Sequence, residues 1–181
     1  MKKTILVFAL AISAAASFAQ KRTTTSATIN FDATTEKDAL PKAENKTTIA
    51  SLDTKKGTVA FETVIKNFSF SNPMMQEHFN GEQWMNSDKF ASASFKGSIT
   101  NLSDINFDKD GTYTAEVTGE LTMHGETKPV KTKATITVKD KTINAKTEFN
   151  IKLEDYKVSG GAIAAGKVAK EPKISVVADF K

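Results

Sequence analysis

The amino-acid sequence predicts an all-β fold in which eight antiparallel strands form an up-and-down barrel or a sandwich. The main observation is a strict alternation in residues 113–123, with apolar or small side chains at odd positions and polar ones at even positions. A period of two residues places these two sets on opposite faces of a strand. The second observation is the turn chemistry between such segments, at Asp110-Gly111, His124-Gly125 and Asp140-Lys141. Many short alternating segments in 181 residues indicate one sheet around an apolar interior.

The same alternation predicts the eight strands in order along the chain. They are residues 26–33, 46–52, 58–70, 92–100, 112–123, 128–139, 142–153 and 173–180. The third is long, and its apolar parity shifts between Ile65 and Phe68, which predicts a β-bulge near Asn67. The last four strands show the clearest alternation.

Two segments interrupt the strand pattern. Asn72-Pro73 combines an N-cap residue with Pro in the first turn, which predicts a short helix near residues 73–80. Apolar side chains cluster in this helix and just after it, and we expect them to cover one mouth of the barrel: Met74, Met75, Phe79, Trp84 and Met85. Residues 159–172 are rich in Gly and Ala and are a candidate flexible flap.

The N-terminus has the pattern of a secretory signal peptide. Lys2 and Lys3 precede an uncharged apolar run over residues 5–16, and Ser17-Phe18-Ala19 fits a small-x-small cleavage site. We therefore expect residues 1–19 to be removed and residues 20–181 to form one domain, periplasmic or secreted. The apolar run is too short to span a bilayer, so the mature chain should have no transmembrane segment.

Composition argues against several classes of function. The formal net charge of +4 falls to about +2 without Lys2 and Lys3, which is too balanced for a nucleic-acid-binding surface. The chain has no Cys, which excludes thiol catalysis, zinc–thiolate sites and lipid attachment through Cys.

Motifs of metal and catalytic sites are weak. His78 and His124 lie on separate predicted elements with no carboxylate spacing that completes a metal site. The stretch that begins at Asn106 imitates a calcium loop, but its twelfth position is Val117 instead of Glu, so a hairpin loop is the better interpretation. No nucleophile elbow or phosphate-binding loop is present. We therefore expect no catalytic residues, no metal and no cofactor.

The inward rows are unusually rich in small residues, which leaves two interpretations open. Facing Phe side chains could fill the space, or a cavity could remain that holds one small ligand, as eight-stranded barrels can. The second interpretation predicts a ligand-binding interior from inward parity, lined by Phe61, Ile65, Phe95, Ala115, Val117, Gly119, Leu121, Ile136, Phe149 and Val176.

The alternation does not decide which face of the sheet points outward. An outer-membrane barrel would turn its apolar rows toward lipid. The polar rows are dense in Lys, Glu and Asn and would line a narrow channel poorly, so a barrel with an apolar interior is the favoured alternative.

Two motifs resemble the signatures of the YceI-like family across nearly the whole chain after residue 25. The first is Phe79-x-x-Glu82-x-Trp84-Met85-x-Ser87-Asp88-Lys89-Phe90, followed by Ala93-x-Phe95-x-Gly97. The second is Gly119-Glu120-Leu121-Thr122-Met123-His124-Gly125-x-Thr127-Lys128-Pro129-Val130. Ala91 departs from the family, which usually has Pro at that position.

This resemblance implies a lipocalin-like barrel in the bacterial periplasm that binds a polyisoprenoid, such as a polyprenol or an isoprenoid quinone. It implies no catalytic residues. The expected function is therefore sequestration or transport of an isoprenoid lipid. The alternative is an envelope stress or interaction protein with a self-filled barrel and an outer surface that includes Lys131, Lys133 and Lys146. The sequence leaves open whether the chain is a monomer or a homodimer.

Overall fold

The computed structural model describes residues 21–181 and shows a closed antiparallel barrel of eight long strands. Each long strand pairs with the next one along the chain, and β1 closes the barrel by pairing with both β2 and β9. The long strands are β1 (Lys21–Asp32), β2 (Lys42–Asp53), β3 (Thr58–Val64), β5 (Ser92–Ile99), β6 (Gly111–Met123), β7 (Glu126–Lys139), β8 (Thr142–Asn150) and β9 (Lys173–Phe180). The two-residue strand β4 (Ser69–Phe70) pairs with the start of β2. The predicted barrel is confirmed, and the sandwich alternative is wrong.

Strand β6 shows why the alternating sequence folds this way. Ala115 and Met123 are buried, whereas Thr114 and Glu116 are exposed. Burying one row of side chains removes apolar area from water, at about 25 cal/mol per Å², while the other row stays hydrated. The apolar rows therefore face the barrel interior.

The loops divide between the two ends of the barrel. One end carries residues 33–41, 65–91, 124–125 and 151–172, and we call it the helix end because helix α1 (Pro73–Asn80) lies there. The opposite end carries residues 54–57, 100–110 and 140–141 together with the start of β1 and the end of β9.

Helix α1 has the boundaries that the sequence predicts. The side chain of Asn72 accepts a hydrogen bond from the backbone N–H of Met74 at 3.0 Å, and Pro73 occupies the first turn. The N–H of Gly81 ends the helix by donating to the carbonyl of Glu77 at 3.0 Å. These caps satisfy backbone groups that a short helix leaves unpaired.

The bulge predicted near Asn67 is wrong. Strand β3 ends at Val64, and a 3₁₀ turn over Ile65–Asn67 separates it from β4. The N–H of Ile65 donates to the carbonyl of Ala91 at 2.9 Å. Ile65 and Phe68 are both buried. The turn buries two residues of opposite parity, which explains the parity shift without an extra residue in the ladder.

Residues 159–172 are packed against the barrel. They contain a one-turn helix α2 (Gly161–Ala164) and the buried side chain of Val168. The N–H of Ala169 donates to the carbonyl of Ala33 at 2.9 Å, and the N–H of Leu153 donates to the carbonyl of Lys170 at 3.0 Å. Strand β8 correspondingly ends at Asn150 instead of residue 153, and a 3₁₀ turn (Leu153–Tyr156) follows it.

Two clusters of buried apolar side chains occupy the two ends of the barrel. The helix-end cluster centres on Phe79, whose ring lies 4.9 Å from that of Phe70 and 5.8 Å from those of Phe31 and Phe68. The opposite cluster includes Leu52, Ile143 and Phe180. These clusters position the space between them, which is the candidate functional site.

Candidate ligand-binding cavity

A long apolar cavity runs through the barrel between the two clusters. Its volume is about 150 Å³, and its lining reaches from the helix-end cluster to the opposite cluster. The cavity is therefore narrow for its length, as suits an extended chain. Its walls come from all eight long strands and from the segment after β3.

The inward rows of the strands form the walls. Eight of the ten residues predicted from parity border the cavity, namely Phe61, Ile65, Phe95, Val117, Leu121, Ile136, Phe149 and Val176. Large inward side chains such as Phe61, Leu121 and Phe149 are only partly buried. Since close-packed interiors leave few voids larger than a water molecule, these side chains border space that the protein does not fill.

Ala115 and Gly119 do not border the cavity, so the structure corrects these two predictions. Ala115 is fully buried opposite Ala134 in the cluster at the opposite end. Gly119 pairs with Gly97, and a Cβ on either glycine would lie within 2.7 Å of the Phe95 ring. Gly97 and Gly119 therefore leave room for the ring of Phe95. This agrees with the interpretation in which facing Phe side chains fill the space beside small inward residues.

Of the five residues predicted to cover the mouth of the barrel, three border the cavity and two do not. Phe79, Trp84 and Met85 border the cavity, and the ring of Trp84 lies 6.4 Å from that of Phe79. Met74 is 64% exposed on the outer side of α1, and Met75 packs against the helix-end cluster without reaching the cavity. A helix of two turns presents only one face to the barrel, and Phe79 occupies that face.

Several wall residues were missed by the sequence reasoning. They are Ile29, Phe31, Val59, Thr63, Ile99, Val130, Thr132, Ala145, Ile151 and Ile174, among others. Most stand on the inward rows, so parity is the signal that finds them. The threonines are missed because a polar residue at an inward position contradicts the simple pattern.

One polar group in the wall is held by a buried hydrogen-bond network between β2 and β3. Thr63 accepts from the side-chain amide of Asn45 at 2.8 Å and from the hydroxyl of Thr48 at 3.0 Å. Asn45 also donates to the carbonyl of Val64 at 2.9 Å and accepts from the N–H of Thr47 at 2.9 Å. Buried polar groups with partners cost little, so this network is structural.

The cavity is nearly free of charge. Among its wall residues the only ionisable one is Lys146, whose side chain is on an exposed position of β8.

The groups with shifted pKa values lie outside the cavity wall. A hydrogen bond from Lys157 holds the pKa of Glu126 below its usual range, and hydrogen bonds from Thr34 do the same for the pKa of Asp32. Burial, with a smaller effect of Asp155, raises the pKa of Tyr156 to about 12.

No helix within residues 21–181 is long and apolar enough to cross a membrane. Over the same range, no three or more His, Asp or Glu side chains gather where they could hold a metal ion. The Asn106 loop folds on itself, with the Asn106 side chain accepting from the N–H of Asp108 at 3.0 Å.

The fold and the cavity define a class, namely eight-stranded lipocalin-like barrels with an apolar interior. A family model described as the YceI-like domain matches residues 11–180 of the chain. The chain therefore belongs to the YceI-like family, as its two motifs indicate.

The chain is also similar to known proteins, over a short stretch of sequence or in fold. A UPF0312 protein of Pseudomonas fluorescens is 41% identical over 59 residues, which are 33% of this chain and 29% of that protein. A polyisoprenoid binding domain from Saccharophagus degradans, implicated in plant cell wall breakdown, has a TM-score of 0.75 at 11% identity and covers 90% of this chain and 98% of its own. Burkholderia cenocepacia BcnA has a TM-score of 0.70 at 17% identity, with 86% and 96% of the two chains covered. At these identities the two structures show a shared fold.

Proposed function

We propose that this protein is an exported lipid-binding protein that holds a long isoprenoid chain, of the polyprenol or isoprenoid-quinone type, inside its barrel. The observation that carries the proposal is the unfilled apolar cavity, bordered by large inward side chains that remain partly accessible. The structural likeness to a polyisoprenoid binding domain supports the choice of ligand class.

The mechanism is burial of the chain in a preformed space. Each CH₂ group removed from water contributes about 0.8 kcal/mol. A few isoprene units are therefore enough to offset an association cost on the order of 4–15 kcal/mol. A nearly uncharged wall suits this role, because its threonine hydroxyls already have hydrogen-bond partners and its single ionisable residue, Lys146, stands at an exposed position.

Export is part of the same proposal. The signal-peptide pattern lies outside the residues that the structure describes, so the support is the sequence alone. Intact-mass analysis of periplasmic material should show a mature chain that begins at Gln20. A retained Met1 would contradict export through this signal.

The self-filled barrel is the less supported alternative, because a long space remains even though Phe95 fills the room left by two glycines. We also infer a binding role and no enzymatic one, since the cavity wall offers a single ionisable residue and no pair of groups for acid–base chemistry.

The direct test is mass spectrometry of lipid extracts from the protein purified without detergent from a bacterial periplasm. We expect an isoprenoid lipid in a ratio near one per chain. A protein that carries no lipid, and that binds none when octaprenyl benzoquinone is added, would overturn the proposal.

A further inference from the structure

The ladder between β7 and β8 covers only part of the two strands. It runs from Lys139↔Thr142 to Ala134↔Thr147 and then stops, whereas the β6–β7 ladder continues to Met123↔Glu126. Beyond Asn150 the chain is hydrogen-bonded to the segment before β9, on the side away from β7. There the N–H of Ile151 donates to the carbonyl of Pro172 at 3.2 Å. The barrel wall therefore forks between residues 126–133 of β7 and residues 148–152, and we call this gap the fork.

Side-chain contacts bound the fork at both ends. At its closed end the hydroxyls of Thr132 and Thr147 lie 2.8 Å apart, Thr132 donates to the carbonyl of Glu148 at 3.2 Å, and Thr147 donates to the carbonyl of Lys133 at 2.9 Å. At the helix end, the β6–β7 turn contacts the 3₁₀ turn after β8. His124 Nδ1 lies 2.9 Å from the carbonyl oxygen of Tyr156. Residues 126–132 span about 20 Å at 3.3 Å per residue, so the fork is long relative to an isoprene unit.

The cavity and a groove on the outer face share wall residues at the fork. Val130, Thr132 and Phe149 border the cavity, and Thr132, Phe149 and Val117 also border the groove. The groove lies open to solvent, whereas the cavity inside the barrel is narrow, so the groove has room for a ring and the cavity for a chain.

The charges around the groove are balanced. Lys131 and Lys133 lie on its rim with Glu116 and Glu148, and all four side chains are exposed. Two positive and two negative charges give no net attraction for an anion. They offer hydrogen-bond donors and acceptors to an uncharged polar group instead.

We infer that the fork is the entrance of the cavity and that the groove over it holds the polar head of the ligand, an uncharged oxygen-bearing ring or alcohol. The isoprenoid tail passes between Val130 and Phe149 into the barrel, on the open side of the hydrogen bonds that Thr132 and Thr147 make across the two strands. This inference rests on the proposed function, and it excludes the helix end, where Phe79 and its aromatic neighbours close the barrel.

The absence of Cys in the sequence allows a positional test. Lys131→Cys places a single thiol on the groove, and Met74→Cys places one at the helix end, where the side chain is 64% exposed. Each variant is labelled with a small bimane dye and mixed with octaprenyl benzoquinone, whose ring quenches fluorescence on contact. Squalene, which has the tail chemistry without the ring, is the matched probe. Native mass spectrometry measures the occupancy of every sample.

We expect the quinone to quench the label at position 131 severalfold more than the label at position 74, and squalene to bind without quenching either. Stronger quenching at position 74, equal quenching at both, or full occupancy without quenching would overturn the placement of the head while leaving the lipid-binding function intact. Absence of any bound quinone or squalene would overturn both the proposed function and the entrance that depends on it.

Discussion

Gly119 and its partner Gly97 support the ring of Phe95 on the inner face of the barrel. A Cβ at Gly119 would lie 2.4 Å from the carbonyl oxygen of Lys96 and 2.6 Å from Cα of Gly97. These contacts are with backbone, which cannot move aside as a flexible side chain can. The position therefore requires the absence of a side chain for packing, not for a ligand.

Gly119→Ala should therefore destabilise the protein by about 1–3 kcal/mol, since the strands must separate to accept the methyl group. Gly161→Ala is the matched control, because a Cβ there meets nothing within 4 Å and Ala favours the helix by up to about 1 kcal/mol. Urea unfolding of both variants checks the prediction. Equal stability of the two variants would contradict it.

Neighbouring residues on one strand should respond oppositely to charge. Ile136 borders the cavity and is 3% exposed, whereas Thr135 is exposed on the outer face. Ile136→Asp should cost several kcal/mol at neutral pH, because a carboxylate loses its hydration in an apolar space. Thr135→Asp should change stability by less than about 0.5 kcal/mol.

The difference in the free energy of unfolding between Ile136→Asp and Thr135→Asp should depend on pH. Burial raises the pKa of the carboxyl group introduced by Ile136→Asp above its unfolded value of about 3.9. The penalty is therefore complete above the raised pKa and smallest below the unfolded one, so the gap between the two variants should shrink as pH falls. A gap that stays constant with pH in denaturant titrations would show that the carboxylate is hydrated.

At the scale of elements, the two-residue turns set the registers of the hairpins. His124-Gly125 and Asp140-Lys141 both have positive φ, at 52° and 79° and at 49° and 65°. This is the conformation that matches the right-handed twist of a hairpin, and Gly adopts it with less strain than Lys.

Lys141→Gly should therefore stabilise the fold by about 0.5–1 kcal/mol. Its control is Thr135→Gly inside β7, where the exposed residue is paired with both neighbouring strands and Gly should destabilise by a similar amount because the strand interior gains nothing from positive φ. Melting temperatures of the two variants should move in opposite directions. A fall for Lys141→Gly would refute the argument.

Prediction of the elements from sequence succeeded where alternation is regular. Residues 173–180 match β9 in full, and residues 112–123 match β6 to within one residue. It failed where tertiary contacts bury residues of both parities, as at Ile65–Asn67, and where residues 159–172 pack through backbone hydrogen bonds that no local pattern encodes. Local sequence does not contain the partners of such segments.

At the scale of the whole molecule, parity predicts which side chains point inward but not how the interior is filled. Ala115 and Ala145 both stand on inward rows, yet Ala115 is fully buried within the opposite cluster, whereas Ala145 is partly buried at the margin of that cluster and borders the cavity. The difference depends on how the long side chains of Phe95 and its neighbours lie across the barrel. The fork has no sequence signal either, since it arises from where one ladder stops.

The central claim, that the cavity holds a long apolar chain, is tested most directly by filling the cavity. Ala145→Phe adds a ring to the space inside the barrel, whereas Ala115→Phe adds it to a packed cluster and should cost about 1–3 kcal/mol or more. The measurement is native mass spectrometry with octaprenyl benzoquinone, together with the melting temperature of each protein. We predict one quinone per wild-type chain, and a loss of binding in Ala145→Phe with a melting temperature close to that of the wild type. Undiminished binding by Ala145→Phe, or no binding by the wild type, would contradict the account.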